Sequence, residues 1–175
     1  MKSLTIIALL FFLSATLAVA YAEDNAPPQL KLQADSLAAL LKDSYAEEYG
    51  RKYYVFTQGS GTRVAAVFYG FEGYGLGNNW SQYLAVFSVL SGAEPGQLKT
   101  DYFSLLDVVK IGAKGWRAAD FEKVKITHNS KPFETIIVIS IKEVISGDPP
   151  NFPSKQSQAQ YRIQPFQGER LRVEN

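Results

Sequence analysis

The hydrophobic pattern changes character twice along the chain. From Leu4 to Val19 nearly every residue is apolar, broken only by Thr5, Ser14 and Thr16. Lys2 precedes this run, and Ala20-Tyr21-Ala22 follows it with small residues at the two positions a signal peptidase reads. Glu23-Asp24 then turns the chain polar. This order predicts a cleavable secretory leader over residues 1–22. A membrane-spanning helix needs about 20 apolar residues, and this stretch is shorter and runs directly into the cleavage site.

After a polar, proline-containing lead-in over 23–28, Leu37, Leu40, Leu41 and Tyr45 recur at helical spacing. They predict one amphipathic helix over Ser36–Tyr49, with Asp35 or Ser36 accepting the free amides at its start and Gly50 left-handed at its end. Leu30 and Leu32 either extend that helix or form a short strand before it.

From Lys52 the period becomes that of strands. Tyr53–Thr57 and Arg63–Phe71 are rich in aromatic and β-branched residues, with Gly59-Ser60-Gly61 suited to a tight reversal between them. Ser81–Val89 places Tyr83, Ala85, Phe87 and Val89 on one face and Leu84 and Val86 on the other. A strand apolar on both faces belongs in the middle of a sheet, covered on both sides. Tyr102–Ile111 and Trp116–Ile126 are the next two strands. His128-Asn129-Ser130 is expected as a hairpin turn into Glu134–Val144, whose Ile136-Ile137-Val138-Ile139 is the most buried-looking run. Gly147, Pro149, Pro150 and Pro153 make Ser146–Gln158 a loop. Tyr161–Pro165 and Leu171-Arg172-Val173 are short closing strands.

The expected fold is α+β: one N-terminal amphipathic helix packed on a curved antiparallel meander of six to seven strands, in a single domain over 29–175. A cystatin-like arrangement is the first expectation, a helix-capped β-sandwich or half-barrel the second.

Composition fits a domain held by packing alone. The chain is 46% hydrophobic and 13% aromatic and has no cysteine, so it has no disulfide, the staple common in small exported domains. The portion after the leader, about 150 residues, is long enough to bury roughly two-thirds of its unfolded surface. Lys plus Arg number 18 against 17 Asp plus Glu, and losing Lys2 with the leader balances them. Without a basic excess, nucleic acid is not expected as a partner.

Candidate chemistry is sparse. Gly73-Tyr74-Gly75-Leu76-Gly77 follows a strand, but a strand-like segment comes next, where a nucleotide loop needs a helix N-terminus. The same loop gathers Glu72, Tyr74, Asn78, Asn79 and Trp80: one carboxylate, two amides and two aromatics. Such loops suit sugars, peptides or a protein partner. Packing of those aromatics over the end of the sheet is the alternative. Asn79-Trp80-Ser81 also matches a glycosylation sequon, relevant only in a eukaryotic secretory pathway. Lys114, Trp116 and Arg117 form a second candidate surface, an anion site or a solvated hairpin. The single His128, the lack of Cys and the lack of a Gly-x-Ser-x-Gly elbow give no catalytic or metal set. A two-carboxylate hydrolase using Glu72 with Asp107 or Asp120 is the one enzymatic alternative. No cofactor is expected.

Phe71-Glu72-Gly73 through Gly77-Asn78-Asn79, Tyr83-Leu84-Ala85-Val86-Phe87, Ile111-Gly112 and Lys114-Gly115-Trp116-Arg117 resemble a group of small exported proteobacterial proteins of unassigned function. Asp148, Pro153-Ser154 and the closing Leu171 to Glu174 fit the same pattern, so the likeness spans about Tyr53 to Glu174. In that group a cysteine pair often precedes the Pro-Ser, where this chain has Asn151-Phe152. The resemblance implies a periplasmic location and no activity. The expected function is therefore an exported, non-catalytic binding or interaction protein with an envelope protein or cell-wall fragment as partner. An inhibitor or immunity protein against a cell-wall-degrading enzyme is the alternative within that class.

Overall fold

The structure, a computed structural model, describes residues 18–21, 26–58, 62–92, 100–130, 133–164 and 169–174. In chain order the elements are β1 (Ala18–Tyr21), α1 (Pro28–Leu41), β2 (Glu47–Gln58), β3 (Thr62–Tyr74), β4 (Asn79–Gly92) and β5 (Thr100–Ala113). There follow β6 (Arg117–Ser130), β7 (Phe133–Glu143), β8 (Lys155–Gln164) and β9 (Glu169–Glu174). Among the described residues nine strands pair antiparallel in sequence order, so the sheet is an uninterrupted meander, open and not closed into a barrel. Seven of these strands answer to the expected meander of six to seven, β9 takes up the closing addition at Leu171-Arg172-Val173, β1 has no expected counterpart, and the helix is not the first element. Strand β1 lies within the segment that reads as a leader and pairs Ala18–Tyr21 with Phe56–Tyr53.

The helix is displaced from its expected span. It starts with Pro28 in its first turn, where the missing amide hydrogen costs nothing, and it has no side-chain cap. Its buried stripe is Leu30, Ala34, Leu37 and Ala38. Of the large side chains used to predict its register, Leu37 is buried and Leu41 packs against the core, but Leu40 is 82% exposed and Tyr45 is exposed beyond the helix. Lys42 is already extended, and the Asp43 carboxylate accepts the amides of Tyr45 and Ala46 at 3.0 and 2.8 Å. That local turn competes with helix and releases the chain into β2, so Glu47 to Gly50 are strand.

Two buried clusters lie on opposite faces of β2–β4. On one face the helix residues cover Tyr53, Val55, Ala65, Val67, Tyr69, Phe71, Ala85, Phe87, Val89 and Phe103. On the other, Tyr54, Phe56, Val64, Ala66, Phe68, Leu84 and Val86 pack against Ile126, Ile137, Ile139, Ile141, Ala159, Tyr161 and Ile163 of β6–β8. The meander therefore doubles over between β5 and β6, which pair only at Ala113 and Arg117. Arg51 anchors the helix from β2, with Nη1 at 2.5 Å from Asp35 and Nε at 2.6 Å from Glu48.

Strand β4 is central and covered on both faces, with the predicted alternation of side chains. The longest buried run is Val64–Phe71 of β3 and not Ile136–Ile139, because Ile136 and Val138 face the half-exposed outside of the second half-sheet. His128-Asn129-Ser130 is strand, paired to Thr135, Glu134 and Phe133, and the stronger breaker is the Pro132 that follows. Trp116 belongs to the turn before β6 and not to the strand. The expected reversal at Gly59-Ser60-Gly61 lies outside the described residues.

Candidate functional site

Four connections meet at one end of the doubled sheet: α1–β2, β3–β4, β5–β6 and β7–β8. Specific bonds join them. The Gly75 amide donates to Asp43 Oδ2 at 2.9 Å, tying β3–β4 to α1–β2. The Lys114 amide donates to the Trp80 carbonyl at 3.2 Å, and its ammonium donates to Asn78 Oδ1. Gly115 donates to the Pro150 carbonyl at 2.9 Å, and Val144 donates to the Trp116 carbonyl at 2.8 Å. Asp148 holds its own loop by accepting the amides of Ile145 and Ser154, each at 3.0 Å. These backbone amides keep the carboxyls of Asp43 and Asp148 below the ordinary carboxylate value, Gly75 contributing most to Asp43 and Ile145 to Asp148.

Between the loops lies a cavity of about 490 Å³ lined by Tyr45, Glu47, Glu72, Asn78, Trp80 and Asn151, together with Gly73 and Gly77. Its volume is within the range of small-ligand pockets. Glu47 and Glu72 are direct partners across β2 and β3, and Glu72 is in turn the partner of Trp80 on β4. One row across three strands thus carries two exposed carboxylates and an indole. Like charges directly opposite on a sheet are unfavourable. Among the described residues, Asn151 Oδ1 is the buried side-chain oxygen that has no hydrogen-bond partner.

Of the loop residues singled out in the sequence, Glu72, Asn78 and Trp80 line this cavity. Tyr74 serves the fold instead. Its hydroxyl donates to the Leu41 carbonyl at 2.8 Å, closing the end of the helix, and burial pushes its pKa up. Asn79 opens β4 opposite Tyr74 and is exposed outside the cavity wall. In the second candidate surface, Lys114 stands at the rim and Trp116 is 44% exposed, but Arg117 is only 3% exposed. Its guanidinium lies 4.0 Å from the Trp116 ring centre and donates to the Ile111 carbonyl and the Tyr161 hydroxyl at 2.9 and 3.1 Å. Arg117 therefore bridges β5 to β8 inside the fold and does not face an anion at the surface.

The carboxylates paired with Glu72 in the hydrolase alternative lie elsewhere. Asp120 lines a separate cavity with Tyr49, Gln82 and Lys123, and Asp107 accepts the amide of Val108. The carboxylate that does share the cavity of Glu72 is Glu47, which only the β2–β3 register reveals. Asn151 and Tyr45 were equally hidden, being on loops remote in sequence. Among the described residues no group of three or more His, Cys, Asp or Glu could hold a metal, and no helix is long and apolar enough to cross a membrane. Compared with protein families, curated proteins and solved structures, the chain matches none.

Proposed function

We propose that this is an exported, non-catalytic interaction protein that takes its partner at the four-loop end, after a leader over 1–22 is removed in the periplasm or on secretion. The single observation that carries the proposal is the convergence of four bonded loops around one cavity. A rigid scaffold with its loops fixed against one another is how recognition residues are usually presented. The same end carries exposed apolar side chains on all four connections: Tyr45, Leu76, Trp116, and Ile145 with Phe152. Such an apolar rim about a polar cavity suits an envelope protein better than a cell-wall fragment, in keeping with an inhibitor or immunity protein. The doubled sheet with a helix on its outer face supports a helix-capped sandwich over a cystatin-like arrangement.

The Glu47–Glu72 pair favours a second reading, a carboxylate hydrolase. Against it, both side chains are exposed, whereas a general acid is ordinarily tuned by burial. The proposal is tested by affinity capture from an envelope extract with the wild type and with Trp80→Ala and Leu76→Ser. A partner retained by the wild type and lost from both variants, with thermal unfolding of Leu76→Ser unchanged, supports it. Equal capture by all three contradicts it, and turnover of cell-wall glycan by the wild type that Glu47→Gln abolishes would replace it with the hydrolase.

A further inference from the structure

We infer that the partner is a protein that places a basic side chain, a guanidinium or an ammonium, between Glu47 and Glu72 and against Trp80. This rests on the proposed interaction function and specifies its chemistry. Two observations converge on it. The two carboxylates face each other across β2 and β3 with nothing of opposite charge among the residues walling the cavity, an arrangement that a cation relieves and a neutral ligand leaves unrelieved. Trp80 completes the row beside Glu72, and an indole face next to carboxylates is the setting in which cations bind aromatic rings. Guanidinium and ammonium groups donate only, which matches the two carboxylates, which accept only.

A protein is favoured as the bearer of that cation by what surrounds the cavity. Leu76 sits at the tip of β3–β4 with φ 61°, a left-handed conformation unusual for a leucine, and is 78% exposed. Phe152, 71% exposed, projects from β7–β8, with Trp116 and Ile145 also exposed. Exposed apolar side chains on the loops about a charged centre are what protein interfaces use to shut water away from their central contact. An anionic lipid surface would meet the Glu47–Glu72 pair with like charge, and a saccharide offers no apolar counter-surface for the outer ring. Lys114 is outside the cavity lining; its ammonium donates to Asn78 Oδ1 and pairs with neither Glu47 nor Glu72 among the ion pairs of the described residues.

The test uses the purified protein labelled with nitrogen-15, whose two tryptophans give two indole signals. It is titrated with N-acetylarginine methylamide, N-acetyllysine methylamide, the neutral citrulline counterpart and an N-acetylglucosamine trimer. The expected result is a saturable shift of the Trp80 indole signal with an arginine or lysine probe, at about millimolar affinity. Citrulline and the trimer should give none. Glu47→Gln and Glu72→Gln should each weaken the response roughly fivefold or more, and added salt should weaken it too. Equal binding of citrulline, no effect of either glutamine substitution, or no response to either basic probe overturns the inference. Should partner capture depend on Trp80 and Leu76 while the basic probes give no response, the interaction function stands and this inference falls. A response to the trimer alone redirects the site to glycans, and failure of both experiments removes both.

Discussion

The Gln82 side chain passes directly over Gly112, and only glycine leaves room for it. A Cβ at residue 112 would stand 2.3 Å from Gln82 Oε1 and 2.8 Å from the Arg117 carbonyl. Beyond that gap the Gln82 amide donates to the Ala119 carbonyl at 3.0 Å and accepts the Ala119 amide at 2.7 Å. One side chain of β4 thus supplies β6 with two bonds where the β5–β6 ladder stops. This is how the sheet turns back on itself without leaving buried backbone groups unpaired.

Two substitutions follow from that crossing. Gly112→Ala forces backbone and Gln82 apart and should destabilise by about 1–3 kcal/mol. Gln82→Leu leaves the buried Ala119 N–H and C=O without partners and should cost about 2–3 kcal/mol. Urea unfolding measures both. A loss below about 0.5 kcal/mol for either would mean that the two halves of the sheet do not need this bridge.

The loop end should gain stability when its proposed binding features are removed. Glu72→Gln relieves the charge repulsion with Glu47 and should stabilise by about 0.2–0.5 kcal/mol at low salt. Leu76→Asn puts a residue tolerant of the left-handed region at φ 61° and should add about 0.5–1 kcal/mol. Both should bind the partner less well. Destabilisation by both, measured by denaturant unfolding, would identify these residues as structural.

Tyr74→Phe tests the opposite assignment. It removes the bond to the Leu41 carbonyl and should cost about 1 kcal/mol while leaving partner capture intact. Loss of capture at unchanged stability would return Tyr74 to the binding surface.

Acid should loosen the loop end before the sheet. Asp43 and Asp148 both have carboxyls held below the ordinary value of 3.8 by backbone amides. A depressed folded pKa contributes stability that is complete above the unfolded value and fades as pH falls through the folded one. Amide exchange at Gly75, Ala46, Ile145 and Ser154 should therefore lose protection as pH drops below about 4, ahead of amides in β3 and β4. Simultaneous loss throughout the chain would contradict this.

Much of the sheet was legible because strand faces alternate in plain sight, as the two apolar faces of β4 show. The helix was misplaced because its core stripe is written largely in alanine, at Ala34 and Ala38, while Leu40 and Tyr45 mimic the pattern from outside. The doubling of the sheet was hidden, since it depends on Gln82 reaching a residue 37 positions away. The β3–β4 loop announced itself through its glycines, amides and aromatics. Glu47 and Asn151 did not, because strand register and loop convergence bring them there. Arg117 resembled a surface cation by its neighbours in sequence, yet its bonds to Ile111 and Tyr161 take it inside.

The most direct measurement is photo-cross-linking in the cells that make the protein, with a benzophenone amino acid placed at residues 76, 116 or 152 and, as exposed controls remote from the loops, at 32 or 105. Loop-end recognition predicts one adduct of common mass from the first three positions and none of that mass from the controls. Adducts from Leu32 or Leu105 with none from the loop end would place the partner on another face and contradict the account.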